Sequence, residues 1–138
     1  MKRKNKKREA RVHQSICKYI EAQYPKVIYH SDASGIRLTM GQAVAIKKLT
    51  KAREKIPDLF LAEPIGTFSG LYLEIKQSKE VLYKKDGKRR KSKHFDEQAE
   101  TLNKLFTKGY AAYFAAGFDE AKQIIDSYMA GAIIQIPF

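Results

Sequence analysis

Asp58, Glu74 and Lys76 are the residues whose types and spacing could do chemistry. They sit in two short apolar stretches, Ile56-Pro57-Asp58-Leu59-Phe60-Leu61 and Leu71-Tyr72-Leu73-Glu74-Ile75-Lys76. Each stretch reads as a strand. In the second, alternation puts Leu71, Leu73 and Ile75 on one face and Tyr72, Glu74 and Lys76 on the other, so Glu74 and Lys76 project together. The link from Ala62 to Gly70 contains Pro64, Gly66 and Gly70, which suits a turn between antiparallel strands and would bring Asp58 beside Glu74. Two carboxylates and a lysine at one spot are costly to hold together unless a divalent cation compensates the like charges, as in oxygen-ligand Mg²⁺ sites. The chemistry expected is metal-assisted hydrolysis. The alternative is an ordinary hairpin with a cross-strand Glu–Lys ion pair, because so short a pattern also recurs by chance.

The elements that must position these residues follow from periodicity. Val12, Ile16 and Ile20 recur four apart from Glu9 onward, and Tyr24-Pro25 ends that helix. At about 100° per residue Glu9 lies about 20° from Ile16, whereas Glu21 lies about 140° away. Glu9 therefore faces inward and can join the site; its other reading is a dipole partner in a first helical turn. Val27 to His30 is a short strand, followed by a polar turn over residues 31–35. Thr39 to Gln42 fits a capping box opening a helix through about Arg53, with Ala45, Leu49 and Ala52 on one face.

After Lys76 comes a basic segment with a strand-like Val81-Leu82-Tyr83 and an Asp86-Gly87 turn, read as a basic hairpin. Such a positive flap beside a metal centre would grip a phosphodiester through Lys79, Lys84, Lys85, Lys88, Arg89, Arg90, Lys91 and Lys93. The next helix, from about Phe95 to Lys108, stops at Gly109 and carries Gln98 on its buried face with Leu102 and Leu105, where it can position a water or a lysine or simply be a satisfied amide. Tyr110 to Ala115 reads as a fully covered strand and Asp119 to Met129 as a last helix. The tail Ile133 to Phe138 is apolar enough to pack. His13, His30 and His94 are scattered and read as structural.

The chain has 138 residues and a net charge of +12 from 27 Lys and Arg against 15 Asp and Glu. Residues 1–11 hold seven basic and one acidic residue, and residues 76–94 nine basic and two acidic, leaving the remainder at −1. The excess is thus confined to two patches, an electrostatic footprint for a polyanion or else a solubilising tail and a solvated loop. Neither patch has the apolar face of a membrane-surface helix. Residues 1–8 read as a basic flexible arm and residues 9–138 as one domain. The single Cys17 reads as a small hydrophobe in a reducing compartment, and no stretch reaches membrane-spanning length, so a soluble cytoplasmic protein is expected.

A hairpin followed by a crossover helix and a further strand gives a mixed sheet with helices on both faces, hence an α/β fold. On Glu9, Pro57-Asp58-Leu59, Gly70 to Lys76, Gln98 and the ending Gly109-Tyr110 to Ala121, the chain resembles the VRR-NUC (virus-type replication-repair nuclease) proteins of the PD-(D/E)XK superfamily, in particular the small stand-alone type of phages and bacteria. It departs from the family's pattern at Lys55-Ile56, where a glycine often stands shortly before the Pro-Asp. The resemblance implies a restriction-endonuclease-like core and a DNA nuclease using Mg²⁺, for which Mn²⁺ would substitute. It implies metal ligands at Asp58, Glu74 and the backbone carbonyl of Ile75, with Glu9 joining directly or through water. Lys76 would orient the attacking water, and Gln98 would hold the arrangement. Homodimers acting on branched DNA such as four-way (Holliday) junctions are implied as well. The competing reading is a non-catalytic DNA- or RNA-binding protein with a structural acidic cluster. A restriction-type enzyme with a fixed recognition sequence is disfavoured, because the chain leaves no room for a recognition domain.

Overall fold

A computed structural model describes residues 2–32, 38–49 and 55–132, for residues 2–7 in their backbone alone. The elements run α1 (Lys2–Gln23), β1 (Tyr29–Ser31), α2 (Met40–Lys47), β2 (Leu59–Leu61), β3 (Leu71–Lys76), α3 (Lys79–Leu82), α4 (Lys93–Thr107), β4 (Ala111–Ala116) and α5 (Gly117–Met129). The four strands form one mixed sheet in the order β1-β2-β3-β4. β1 pairs with β2 and β2 with β3 antiparallel, and β3 pairs with β4 in parallel. Among the described residues no helix is long and apolar enough to cross a membrane.

The β2–β3 hairpin forms where the Pro/Gly-rich link predicts it. Gly66 takes the left-handed φ of +59° inside the turn, which is cheap only without a Cβ. Gly70 has no room for a side chain, since a Cβ would stand 2.7 Å from the Phe60 ring and 2.8 Å from the Leu61 carbonyl oxygen. The parallel partner β4 is rich in alanine, and Ala111, Ala112, Ala115 and Ala116 are all buried.

Helices cover both faces, and each seals its own apolar cluster. On one side Ile16 and Ile20 of α1 and Ala121, Ile125 and Tyr128 of α5 pack on Leu59, Leu61, Leu71, Leu73 and Ile75. Tyr19 and Tyr24 both donate hydrogen bonds to Asp126, tying α1 to α5. On the other side Leu82, Ala99 and Leu102 pack against Ala112, Phe114 and Ala116. Since both faces of β3 are covered, Glu74 and Lys76 are buried although they alternate with the leucines. α4 is capped by Ser92, whose hydroxyl accepts from the Phe95 amide at 3.0 Å, and this fixes where Gln98 falls.

Several expectations need correction. The helical backbone of α1 starts at Lys2, not Glu9, so the segment set apart as an arm supplies its first turns. Val81 and Leu82 lie in the one-turn helix α3, and only Tyr83 pairs, with Arg89, to close the basic hairpin around Asp86-Gly87. The capping box at Thr39 forms in both directions, but α2 buries none of its residues and Leu49 beyond it is 87% exposed. Ala52 and Arg53, the turn residues 33–35 and the tail 133–138 lie outside the described residues.

Candidate active site

Asp58 enters the site immediately before β2, and Glu74 and Lys76 come from the last half of β3. The antiparallel register sets Leu59 opposite Leu73, so Asp58 falls beside Glu74. Asp58 is 5% exposed and accepts a hydrogen bond from the Ile75 amide at 2.8 Å. That bond locks the acid to the neighbouring strand.

Gln98 of α4 ties the other two together. Its Oε1 accepts from Lys76 Nζ at 2.8 Å, while its Nε2 donates to Glu74 Oε1 at 2.8 Å. Lys76 Nζ also stands 3.7 Å from Glu74 Oε1 and 4.6 Å from the centre of the Phe95 ring. One amide therefore sets the positions of the buried Lys76 ammonium and the buried Glu74 carboxyl, and since the ammonium can only donate, the amide oxygen must face Lys76 and its nitrogen Glu74.

Glu9 and His13, one turn apart on α1, approach from the other direction. One ligand atom from each of Glu9, His13 and Asp58 lies within 4.8 Å of the others. His13 Nε2 stands 3.8 Å from Asp58 Oδ2 and 4.0 Å from Glu9 Oε1, too long for hydrogen bonds. The ring is 5% exposed, and neither nitrogen has a hydrogen-bond partner. A buried imidazole with two unsatisfied nitrogens is costly, and a cation among these three side chains would satisfy it. The donors fit a divalent metal of the Mg²⁺/Mn²⁺ kind, the carboxylates suiting both and the imidazole favouring the latter.

The electrostatics point the same way. Burial, and then the Asp58 carboxylate, push the Glu74 carboxyl well above the usual carboxylate range, although Lys76 opposes them. Burial and Asp58 also raise Glu9. Burial pulls His13 down, against Glu9 and Asp32, and so favours the neutral imidazole that can ligate.

The structure thus brings Glu9, Asp58, Glu74, Lys76 and Gln98 to one place, at the end of β3 where Ile75 also lies. His13 was missed. Its signal was the four-residue spacing from Glu9, which puts both on one helical face. The basic segment divides. Lys79, Lys84, Lys85, Lys88, Lys91 and Lys93 are exposed. Arg89 instead pairs with Asp96 at 3.2 Å and lies over Phe114, and Arg90 Nε donates to the Glu80 carbonyl at 3.0 Å. The hairpin is anchored at its base by the buried Leu82 and by Tyr83, whose hydroxyl donates to Glu120.

A mixed four-stranded sheet clasped between helices, with the acidic cluster on its antiparallel hairpin, is a restriction-endonuclease-like fold. A solved structure described as a VRR_NUC domain protein has the same fold, with a TM-score of 0.61 and 22% identity over 93% of this chain and 96% of that one. No protein-family model matches this sequence, and no curated protein matches it.

Proposed function

We propose that this protein is a metal-dependent nuclease that hydrolyses phosphodiester bonds of DNA. The observation that carries the reading is the convergence of Glu9 and Asp58 on the buried imidazole of His13, whose two nitrogens lack partners. The shared fold with a VRR_NUC domain protein supports it.

Asp58, Glu74, Glu9 and the Ile75 carbonyl would hold Mg²⁺, and His13 adds a nitrogen donor that suits Mn²⁺. The bound ion would polarise a phosphoryl oxygen and lower the pKa of its water. Lys76 donates from Nζ to the attacking water or to the phosphate oxygens as charge grows on them, a role that works best when the donor is fixed in advance. Gln98 provides that fixation, since it holds Lys76 Nζ and Glu74 Oε1 at once. Lys79 of α3 and the exposed lysines of the hairpin, which follows α3 directly, would grip the flanking backbone.

The substrate we favour is branched DNA such as a four-way junction, cut by a homodimer. A symmetric junction presents paired scissile phosphates, which two sites related by a two-fold axis would match. Cytoplasmic DNA of a bacterial or phage-infected cell is the expected target. The test is cleavage of a labelled four-way junction, with linear duplex and single strand as controls, in Mg²⁺, Mn²⁺ and EDTA. Paired nicks near the junction centre that vanish in EDTA are expected. Metal-independent binding without a cut on any substrate would instead make this a non-catalytic nucleic-acid binder.

A further inference from the structure

Two clefts flank the ridge of α1 that carries Glu9 and His13. At about 100° per residue, Ala10, Cys17 and Glu21 lie about 80–120° to one side of Glu9, while Val12, Arg8 and Arg11 lie about 60–160° to the other. The first side opens on a cleft of about 380 Å³ reaching Tyr29 and Asp32. Its acidic members, Glu21 and Asp32, disfavour an anion. The second side opens on a cleft of about 460 Å³ bounded by Arg8, Arg11 and Val12 and, across from them, by Gln77, Ser78 and Glu80.

One wall of this second cleft comes from α1, which carries Glu9 and His13, and the other from the stretch that leaves β3 just after Lys76 and enters α3. Arg8 adjoins Glu9, and Gln77 adjoins Lys76. Three residues apart, Arg8 and Arg11 are neighbours on the helix surface, both are exposed, and among the described residues neither is in an ion pair. The Gln77 side-chain oxygen is buried without a hydrogen-bond partner, and a half-turn of its amide would present two donors at that spot. The one acid, Glu80, accepts hydrogen bonds from its own backbone amide and the Ser78 hydroxyl, which lower its pKa and keep it ionised, so the two guanidinium charges stand against a single carboxylate.

We propose that the Arg8–Arg11 cleft seats a second phosphate group of the nucleic-acid strand, next to the phosphate that lies over Asp58 and Glu74. Two guanidinium forks match phosphate oxygens bidentately. A strand pinned at one phosphate can pivot, whereas one pinned at two adjacent phosphates presents a fixed line for attack. The proposal rests on the nuclease reading. A phosphodiester within the strand and a terminal phosphate monoester share this chemistry, and the test separates them.

That test needs no catalysis. Oligonucleotides of one sequence bearing a 5′-hydroxyl, a 5′-phosphate or a 3′-phosphate are titrated by fluorescence anisotropy in EDTA over a range of salt. The proteins compared are the wild type, Arg8→Gln/Arg11→Gln, and the control Lys104→Gln/Lys108→Gln, which removes equal charge from the far end of α4. Losing charged hydrogen bonds to one phosphate should weaken binding roughly tenfold or more. The slope of log affinity against log salt should fall by about 0.7, the value for one phosphate of a single strand. Arg8→Lys/Arg11→Lys should recover part of the loss. Preference for a phosphorylated end assigns the cleft to a terminal monoester, and equal binding of all three assigns it to an internal diester. If the arginine pair lowers affinity and slope no more than the control, the proposal is overturned. Failure of the wild type to cut DNA in Mg²⁺ would defeat the nuclease reading and leave this comparison readable.

Discussion

The Glu74 carboxyl is buried beside a second carboxylate, and both circumstances raise its pKa. The folded protein therefore keeps a proton that the unfolded chain gives up above about pH 4.3, and stability falls as pH rises through that window. His13 runs the other way, because its lowered pKa costs stability as pH falls below about 6.5. In EDTA the wild type should lose stability relative to Glu74→Gln as pH rises above the ordinary carboxylate range, and thermal unfolding at several pH values checks this. Parallel pH profiles for the two proteins would show that Glu74 does not hold its proton in the fold. His13→Ala should weaken Mn²⁺ binding roughly tenfold or more, by analogy with the loss on disturbing metal-site partners, read by calorimetry or by the metal-induced rise in melting temperature. Unchanged Mn²⁺ affinity would exclude His13 as a ligand. Asp58, Glu74 and Lys76 were legible because residue type and a two-residue period suffice to aim them. His13 was not, because a lone histidine on an apolar face is ordinarily a satisfied one, and its two unpartnered nitrogens appear only in three dimensions.

At the scale of elements, the β2–β3 hairpin sets the distance between Asp58 and Glu74, and Gly70 is its tightest point. Gly70→Ala must push the Phe60 ring or the Leu61 carbonyl aside, at a cost of about 1–3 kcal/mol. A lower urea midpoint with unchanged slope would be the sign of it, and a midpoint equal to the wild type would mean that the hairpin yields. Leu102→Ala, on the face of α4 that also carries Gln98, should cost about 2–5 kcal/mol, seen in the same measurement. β3 was readable to the residue because alternation and flanking glycine agree. The Val81-Leu82 run was misread as strand because three apolar residues fit either period. The start of α1 was misplaced because its lysines and arginines are good helix formers with no cap among them to mark a beginning. Thr39 announced α2 through a purely local capping box. Nothing in that box says what the helix packs against, and it buries none of its residues.

For the whole molecule, the order of elements was enough to give the mixed sheet with helices on both faces, since a hairpin and a crossover helix leave few other arrangements. The net charge of +12 pointed to a polyanion partner without fixing which cations touch it. The structure withdraws Arg89 into an ion pair with Asp96 and leaves the hairpin lysines exposed. Lys84→Gln/Lys85→Gln/Lys88→Gln should therefore weaken DNA binding and flatten its salt dependence by about one unit of slope for each phosphate that is no longer neutralised, whereas a salt dependence equal to the wild type would place the DNA elsewhere. All of this depends on an acidic cluster that cuts rather than merely binds. The most direct measurement follows hydrolysis and affinity side by side, for wild type and Glu74→Ala, on a labelled four-way junction in Mg²⁺ and Mn²⁺. The wild type should cut, and Glu74→Ala should bind with similar affinity yet form no product. A Glu74→Ala protein that cuts as fast as the wild type, or a wild type that binds and never cuts with either metal, would contradict the catalytic role of the cluster.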